Sequence, residues 1–192
     1  MKKIILSLCF YVLSVATLFG QKDLTLNTKI SSVEWIGKKV TGEQKGIITI
    51  KEGTLQVKDN MLAGGNIIID METINSTDMQ GEYKGKLEGH LKSADFFDVA
   101  NYKTAALKIT SVELLEGNKY TVVGDLTIKG ITKPIEFTTT IEIKDGKLGA
   151  YAEMAIDRTN YNIKYGSGKF FEGLGDKMIN DEFIIKFKIA AK

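Results

Sequence analysis

Three groups of residues in this chain have the types that chemistry requires. His90, the only histidine, lies close in sequence to Ser93 and Asp95. A serine, an imidazole and a carboxylate can carry acyl transfer, the imidazole taking the hydroxyl proton while the carboxylate fixes its tautomer. That chemistry also needs the serine on a strained turn between strand and helix. Nothing around Ser93 supplies one, so polar residues at a helix end are the plainer reading. Gly166-Ser167-Gly168-Lys169 has the look of a phosphate-binding loop. It lacks two parts that such a loop needs, because Ile163 stands in place of the first glycine and Phe170 in place of the hydroxyl that would hold magnesium. Its glycines are expected to let a loop cross the end of the molecule, with Phe170 and Phe171 packed. Asn75-Ser76-Thr77 matches a glycosylation acceptor by pattern, and its plainer reading is a loop and helix cap. One histidine, with no cysteine beyond Cys9, cannot assemble the several His or Cys ligands of a zinc or copper site. No catalytic residue, metal or cofactor is therefore expected.

The elements that would position such groups begin after an amino-terminal leader. Met1-Lys2-Lys3 precedes an uncharged stretch from Ile4 to Phe19, followed by Gly20-Gln21-Lys22-Asp23. That is the basic, apolar and polar layout of a secretory signal. Residues 1-20 are expected to be removed and 21-192 to form one domain, with a cut after Ala16 as the alternative. The apolar run falls short of the roughly 20 residues that span a bilayer, so no stable membrane insertion is expected after cleavage. Export to the periplasm is the expected destination, with secretion as the alternative. Leu6-Ser7-Leu8-Cys9 is a poor lipoprotein signal, because Leu8 sits where a small residue is wanted. Cys9 is the only cysteine, so the exported domain can form no disulfide and must be held by packing. The 26 basic and 24 acidic side chains become 24 against 24 once Lys2 and Lys3 are removed. No cationic surplus remains for a nucleic acid or an anionic membrane.

From residue 24 onward the dominant signal is alternation with period two, broken by short Gly, Asn and Asp punctuation. Val33 and Trp35, Ile48 and Ile50, Leu55 and Val57, and Ile67, Ile69 and Met71 form successive inner rows. Leu107 and Ile109 follow, then Tyr120, Val122, Gly124, Leu126 and Ile128, then Ile135, Phe137, Thr139, Ile141 and Ile143. Met154 and Ile156, and Phe183, Ile185, Phe187 and Ile189, complete the set. Turns are expected at Glu52-Gly53, Asp59-Asn60, Gly117-Asn118 and, most strongly, Asp145-Gly146, where both residues tolerate positive φ. Pro134 is expected to open a strand. About eight strands joined by hairpins, without a helix after each, imply an antiparallel sandwich or a closed barrel, and the barrel is favoured.

One segment departs from the period. Tyr83, Leu87, Leu91 and Ala94 recur at helical spacing, which predicts a helix over about residues 78-93. Thr77 and Gln80 have capping-box spacing. Gly81, Gly85 and Gly89 weaken it by about 1 kcal/mol each relative to alanine, so it should be stable only when docked, its glycine face against the sheet. Asp95-Phe96-Phe97 would then fold over as an apolar plug.

The order of these motifs resembles the YceI-like family. The resemblance rests on Val33-Glu34-Trp35-Ile36-Gly37-Lys38, on Gly53-Thr54-Leu55, on Gly64-Gly65 through Asp70-Met71 and Ile74, and most specifically on Gly89-His90-Leu91-Lys92-Ser93-Ala94-Asp95-Phe96-Phe97-Asp98-Val99. Gly124-Asp125-Leu126-Thr127-Ile128-Lys129-Gly130-Ile131-Thr132-Lys133 and Asp157-Arg158-Thr159-Asn160-Tyr161 extend it across residues 24-190. Gln44 and Lys103 depart from the family pattern, which has histidine and proline there. The resemblance implies an all-β fold, an extended eight-stranded antiparallel lipocalin-like β-barrel with one short helix packed at the barrel. It further implies a non-enzymatic periplasmic carrier holding an amphipathic lipid, a polyisoprenoid or fatty-acid-derived chain. The residues alone leave open whether the barrel is filled or hollow; a filled barrel would act through its surface in an envelope stress response. An enzyme acting on an isoprenoid would need His90, Asp95 and Arg158 to converge. For a hollow barrel, Trp35, Ile69, Leu126, Phe137, Ile141, Met154, Phe183 and Phe187 are expected to wall the tunnel. Phe96 and Phe97 would gate it and Tyr161 and Tyr165 line its entrance. Arg158 would meet a headgroup phosphate or form an internal ion pair. Exposed strand edges would allow a homodimer.

Overall fold

The computed structural model describes residues 20–192; Cys9 and the expected leader, apart from Gly20, fall outside the described residues. Nine strands and one α-helix follow in order. They are β1 (Lys22–Thr25), β2 (Ser32–Lys39), β3 (Gly42–Lys58), β4 (Met61–Ser76), α1 (Gly81–Lys92), β5 (Thr104–Glu116), β6 (Lys119–Ile128), β7 (Ile131–Lys144), β8 (Lys147–Asp157) and β9 (Ile179–Ala191). Strands β2 to β9 close an eight-stranded antiparallel barrel, the ring being completed where β4 pairs with β3 and β2 with β9. Its alternation is the one written in the sequence. Tyr120, Val122 and Ile128 of β6, and Phe137, Thr139 and Ile141 of β7, point inward and are buried.

Turn chemistry joins the strands. Asp59 and Asn60 sit at φ 52° and 60°, and Asp145 and Gly146 at 50° and 71°, the left-handed pair that a tight hairpin requires. A further turn of this kind falls at Lys129-Gly130, φ 51° and 72°; lysine gives little warning of it. Pro134 lies inside β7 opposite Asp125 rather than at its start. Pairing of β7 with β8 begins only at Thr139, so the missing N-H of Pro134 interrupts no ladder on that side.

Two features correct the sequence reading of this sheet. Glu52-Gly53 is not a turn: β3 runs straight through it for 17 residues. Register shifts between Ile47 and Thr49 and between Ile50 and Glu52 bend the strand instead, the geometry of β-bulges. A side chain at Gly53 would collide with Leu26, which is why that site needs glycine. The second feature is β1, an additional ninth strand. β2 pairs with β3 only as far as Ile48, and β1 takes up the same edge at Thr54 to Val57. Leu26 then bridges to Ala191, and Thr25 exchanges both backbone hydrogen bonds with Lys192 at 2.9 and 3.0 Å. The short strands β1 and β2 thus lie end to end along β3.

Helix α1 packs beside β4, where Glu88 Oε1 accepts the backbone N-H of Ser76 at 2.9 Å. It starts later than expected, without a capping box: Gln80 caps it with no side-chain bond, and Thr77 Oγ1 donates instead to the Lys45 carbonyl at 3.4 Å. Its glycine face is also reversed, since nothing lies within 4 Å of where a Cβ would stand on Gly81, Gly85 or Gly89. The glycines face solvent, and Leu87 and Leu91 face the barrel end.

Candidate functional site

The barrel is hollow at the end that α1 covers. A cavity of about 400 Å³ lies there, with a wall that is overwhelmingly apolar. Of the residues expected to wall a tunnel, Trp35, Ile69, Leu126, Met154, Phe183 and Phe187 border it, as do Phe96 and Phe97 from the segment after α1. Trp35 can lie flat there because its neighbour is Gly46, where any side chain would strike both the indole and the Asn75 carbonyl. The indole nitrogen donates to the Ile47 carbonyl at 3.3 Å. Phe97 packs edge-on against Phe183, with ring centroids 6.2 Å apart.

Four expected site residues are placed elsewhere. Phe137 and Ile141 lie deeper in the barrel, beside a separate void of about 20 Å³. They are inward-facing, as alternation requires, but at a level where facing side chains already fill the bore. Tyr161 is buried, 2% exposed, in the core next to Ile156 and Ile163 rather than at an entrance. Burial pushes its hydroxyl up to about 12. Tyr165 is half exposed and meets the His90 ring edge-on, centroids 4.4 Å apart.

Arg158, the only arginine of the chain, is 2% exposed. Its guanidinium is surrounded by the chain's own oxygens. Nε donates to the Asn180 carbonyl at 2.9 Å, Nη1 to those of Ile163 and Tyr165 at 2.8 and 2.9 Å, and Nη2 to that of Ile179 at 3.0 Å. Asp181 Oδ1 stands 3.7 Å from Nη2. Burial lowers the pKa of the guanidinium, while Asp181 and Asp157 oppose that effect. Arg158 borders the cavity, yet four of its five N-H donors are engaged by carbonyls of the chain, which is the internal role of the two expected for it. Those bonds tie the start of β9 to the loop after β8. Asp157 supports the same corner: burial raises its pKa, and hydrogen bonds from Thr159 and Lys169 outweigh this and hold it below the ordinary value.

The polar groups singled out as reactive are similarly engaged. Ser93 Oγ donates to the backbone carbonyl of His90 at 2.8 Å rather than to an imidazole. The His90 ring meets Phe96 edge-on at 5.1 Å. In the glycine-rich loop Ser167 is fully buried, and Lys169 reaches back to Asp157 at 2.9 Å and Asp181 at 3.4 Å. Phe170 and Phe171 remain 47% and 49% exposed instead of packing. Two polar atoms bordering the cavity are buried without a hydrogen-bond partner, Gln44 Oε1 and His90 Nε2. Gln44 lies opposite Gly37, next to the exposed Lys38 and Lys39 of the wall, and His90 lies in the last turn of α1 against Phe96 and Tyr165.

The family model for the YceI-like domain matches residues 24–191. The chain belongs to the YceI-like family. Protein YceI of Escherichia coli O157:H7 is 35% identical over 106 residues, a match covering 50% of this chain and 52% of that protein. The chain spans about half the length of the curated relatives it matches. Among solved structures, Burkholderia cenocepacia BcnA superposes with a TM-score of 0.72 at 21% identity, over 87% of this chain and 99% of that one. A polyisoprenoid binding domain from Saccharophagus degradans, implicated in plant cell wall breakdown, gives 0.63 at 12% identity, over 88% and 97%. At these identities the structures establish a shared fold. The YceI-like stretch from Gly89 to Val99 is, in this barrel, the end of the helix, its turn and the two phenylalanines over the cavity.

Several bordering residues were not anticipated. Leu87, His90 and Leu91 were legible as a helical stripe but not as cavity wall, because the sequence does not say across which opening a helix lies. Ile185 shares the row of Phe183 and Phe187 and could have been found there. Ala105 and Ala106 leave space by being small, a property with no motif.

Proposed function

We propose that this YceI-like barrel is an exported periplasmic binding protein, residues 1-20 serving as its leader, which carries one amphipathic lipid without altering it. The observation that carries this reading is the apolar cavity of about 400 Å³ that reaches the surface beside Lys38 and Lys39. It falls in the size range of small-molecule sites. Atoms lining an apolar space of that size lack protein contacts on one side, and a hydrocarbon chain supplies them. At about 0.8 kcal/mol per buried methylene, the chain supplies the affinity and no charged partner is needed. The polar head would sit at the open end, where the unpartnered Gln44 Oε1 can accept a hydrogen bond. The fold shared with a domain described as polyisoprenoid-binding supports the same class of ligand.

Native mass spectrometry of the protein purified from a bacterial periplasm, followed by organic extraction, tests the proposal. A stoichiometric long-chain lipid that is absent from folded Met154→Arg protein is the expected result. A clean apo mass that takes up no added fatty-acyl or polyprenyl compound would exclude it.

A further inference from the structure

The cavity has a floor, and the floor bears on which lipids fit. Ile67, Leu107, Phe187 and Ile189 border both the cavity and the small void on their far side. Behind Phe187 the ring of Phe137 meets it edge-on, with centroids 5.7 Å apart and planes at 88°. Val122 and Ile141 follow, 1% and 2% exposed. Below this layer the inward side chains form a buried apolar cluster beside a void of about 20 Å³. A chain entering from the α1 end has to stop at Phe187.

We infer that this layer measures the ligand, and that the apolar chain it admits is about sixteen carbons long. The inference rests on the cavity being a lipid site. An apolar protein cavity of about 150 Å³ holds one six-carbon benzene ring, and by that proportion a cavity of about 400 Å³ holds about sixteen carbons. One fatty acyl chain of ordinary length, or a short isoprenoid of similar carbon number, meets that limit. A chain of twice the length would leave half of itself in water. Phe187 is the specificity-determining residue because its ring is shared between the hollow and filled levels, with Phe137 holding it in place.

The test is a series of straight-chain primary alcohols of about eight to about twenty-four carbons, each competed against a fluorescent fatty-acyl probe. Each added carbon should tighten binding by about fourfold, the equivalent of one buried methylene, until about the sixteenth, after which the gain should cease. Phe187→Ala should move that break outward by about six carbons, the size of the ring removed. Should that variant fail to fold, Leu107→Ala opens the same floor and should move the break by about three carbons. Affinity that climbs steadily past twenty carbons overturns the length limit, as does a break unmoved in both folded variants; lipid binding itself survives either result. Failure of every chain to displace the probe, or of the probe to bind, overturns the carrier reading and this inference with it.

Discussion

Above Phe187 the barrel is hollow and below it the barrel is filled, although the same strands build both levels. The filled level draws a side chain from nearly every strand, with Leu55, Leu62, Val122, Phe137, Ile141 and Leu148 in one buried cluster, and it gains Leu24 of β1 and Leu26 just after it. The hollow level has Ala105 and Ala106 in its wall and is covered by a helix with no fully buried residue. Atoms that face the cavity have fewer protein neighbours than those of the filled level. Hydrogen bonds add to the apolar contacts of this half: Arg158 fastens four carbonyls at the corner where β8, its following loop and β9 meet. One half is packed through to its centre; the other has a buried apolar cluster around Met71, Ile74, Phe96, Ile156 and Ile163 and adds a polar clasp.

Arg158→Leu attacks the clasp and should show the largest effect. Four carbonyls, that of Ile163 fully buried, would lose their donor and Asp181 one of its two cations, at a cost of about 3 to 5 kcal/mol, read as a shifted urea midpoint. Arg158→Lys should recover little of this, because an ammonium cannot fork across the same oxygens. Next comes a matched pair of cavity substitutions. Ile141→Ala in the filled half should destabilise by about 3 kcal/mol, while Ile69→Ala, whose side chain already borders a void, should cost about 1 kcal/mol or less and mainly weaken lipid binding. Equal losses would mean that the two halves are packed alike in solution.

Smaller again is the alkaline behaviour of Tyr161. Its pKa in the fold is about 12, against an ordinary value of 10.0, so the folded protein holds this proton more tightly than the unfolded chain does. The resulting stabilisation is complete below pH about 10 and is lost as pH rises towards about 12, in all on the order of 2 kcal/mol. Thermal melts across that window should fall in the native protein and fall less in Tyr161→Phe. The smallest effect is expected on α1, where Gly85 faces open space. Gly85→Ala should stabilise by about 0.5 to 1 kcal/mol, measurable as a small rise in Tm with lipid affinity unchanged.

Alternation in the sequence made the barrel legible, because a period of two states which residues point inward, and Asp145-Gly146 and Asp59-Asn60 marked where strands reverse. Depth along the bore was not legible. Phe137 and Met154 look equivalent in their rows, yet one lies in the solid half and the other borders the cavity; the difference depends on strand stagger, which bulges in β3 help to set. The glycine face of α1 was misassigned for a related reason. Small residues permit close approach, but the larger apolar area of Leu87 and Leu91 decided which face turned towards the protein. Arg158 was recognised as a candidate and given two roles, and only the carbonyl positions could choose between them.

The pairing of Thr25 with Lys192, and of β2 with β9, sets the order in which this molecule can be made. Strands β5 to β8 meet their neighbours through short hairpins, and these can form early. The ring, however, closes only when residues near both ends of the chain find each other, Ser32 beside Lys188 and Leu26 beside Ala191. Contacts so distant along the chain are entropically slow, so folding should take milliseconds to seconds. A chain that has not yet received β9 has no route to a closed barrel.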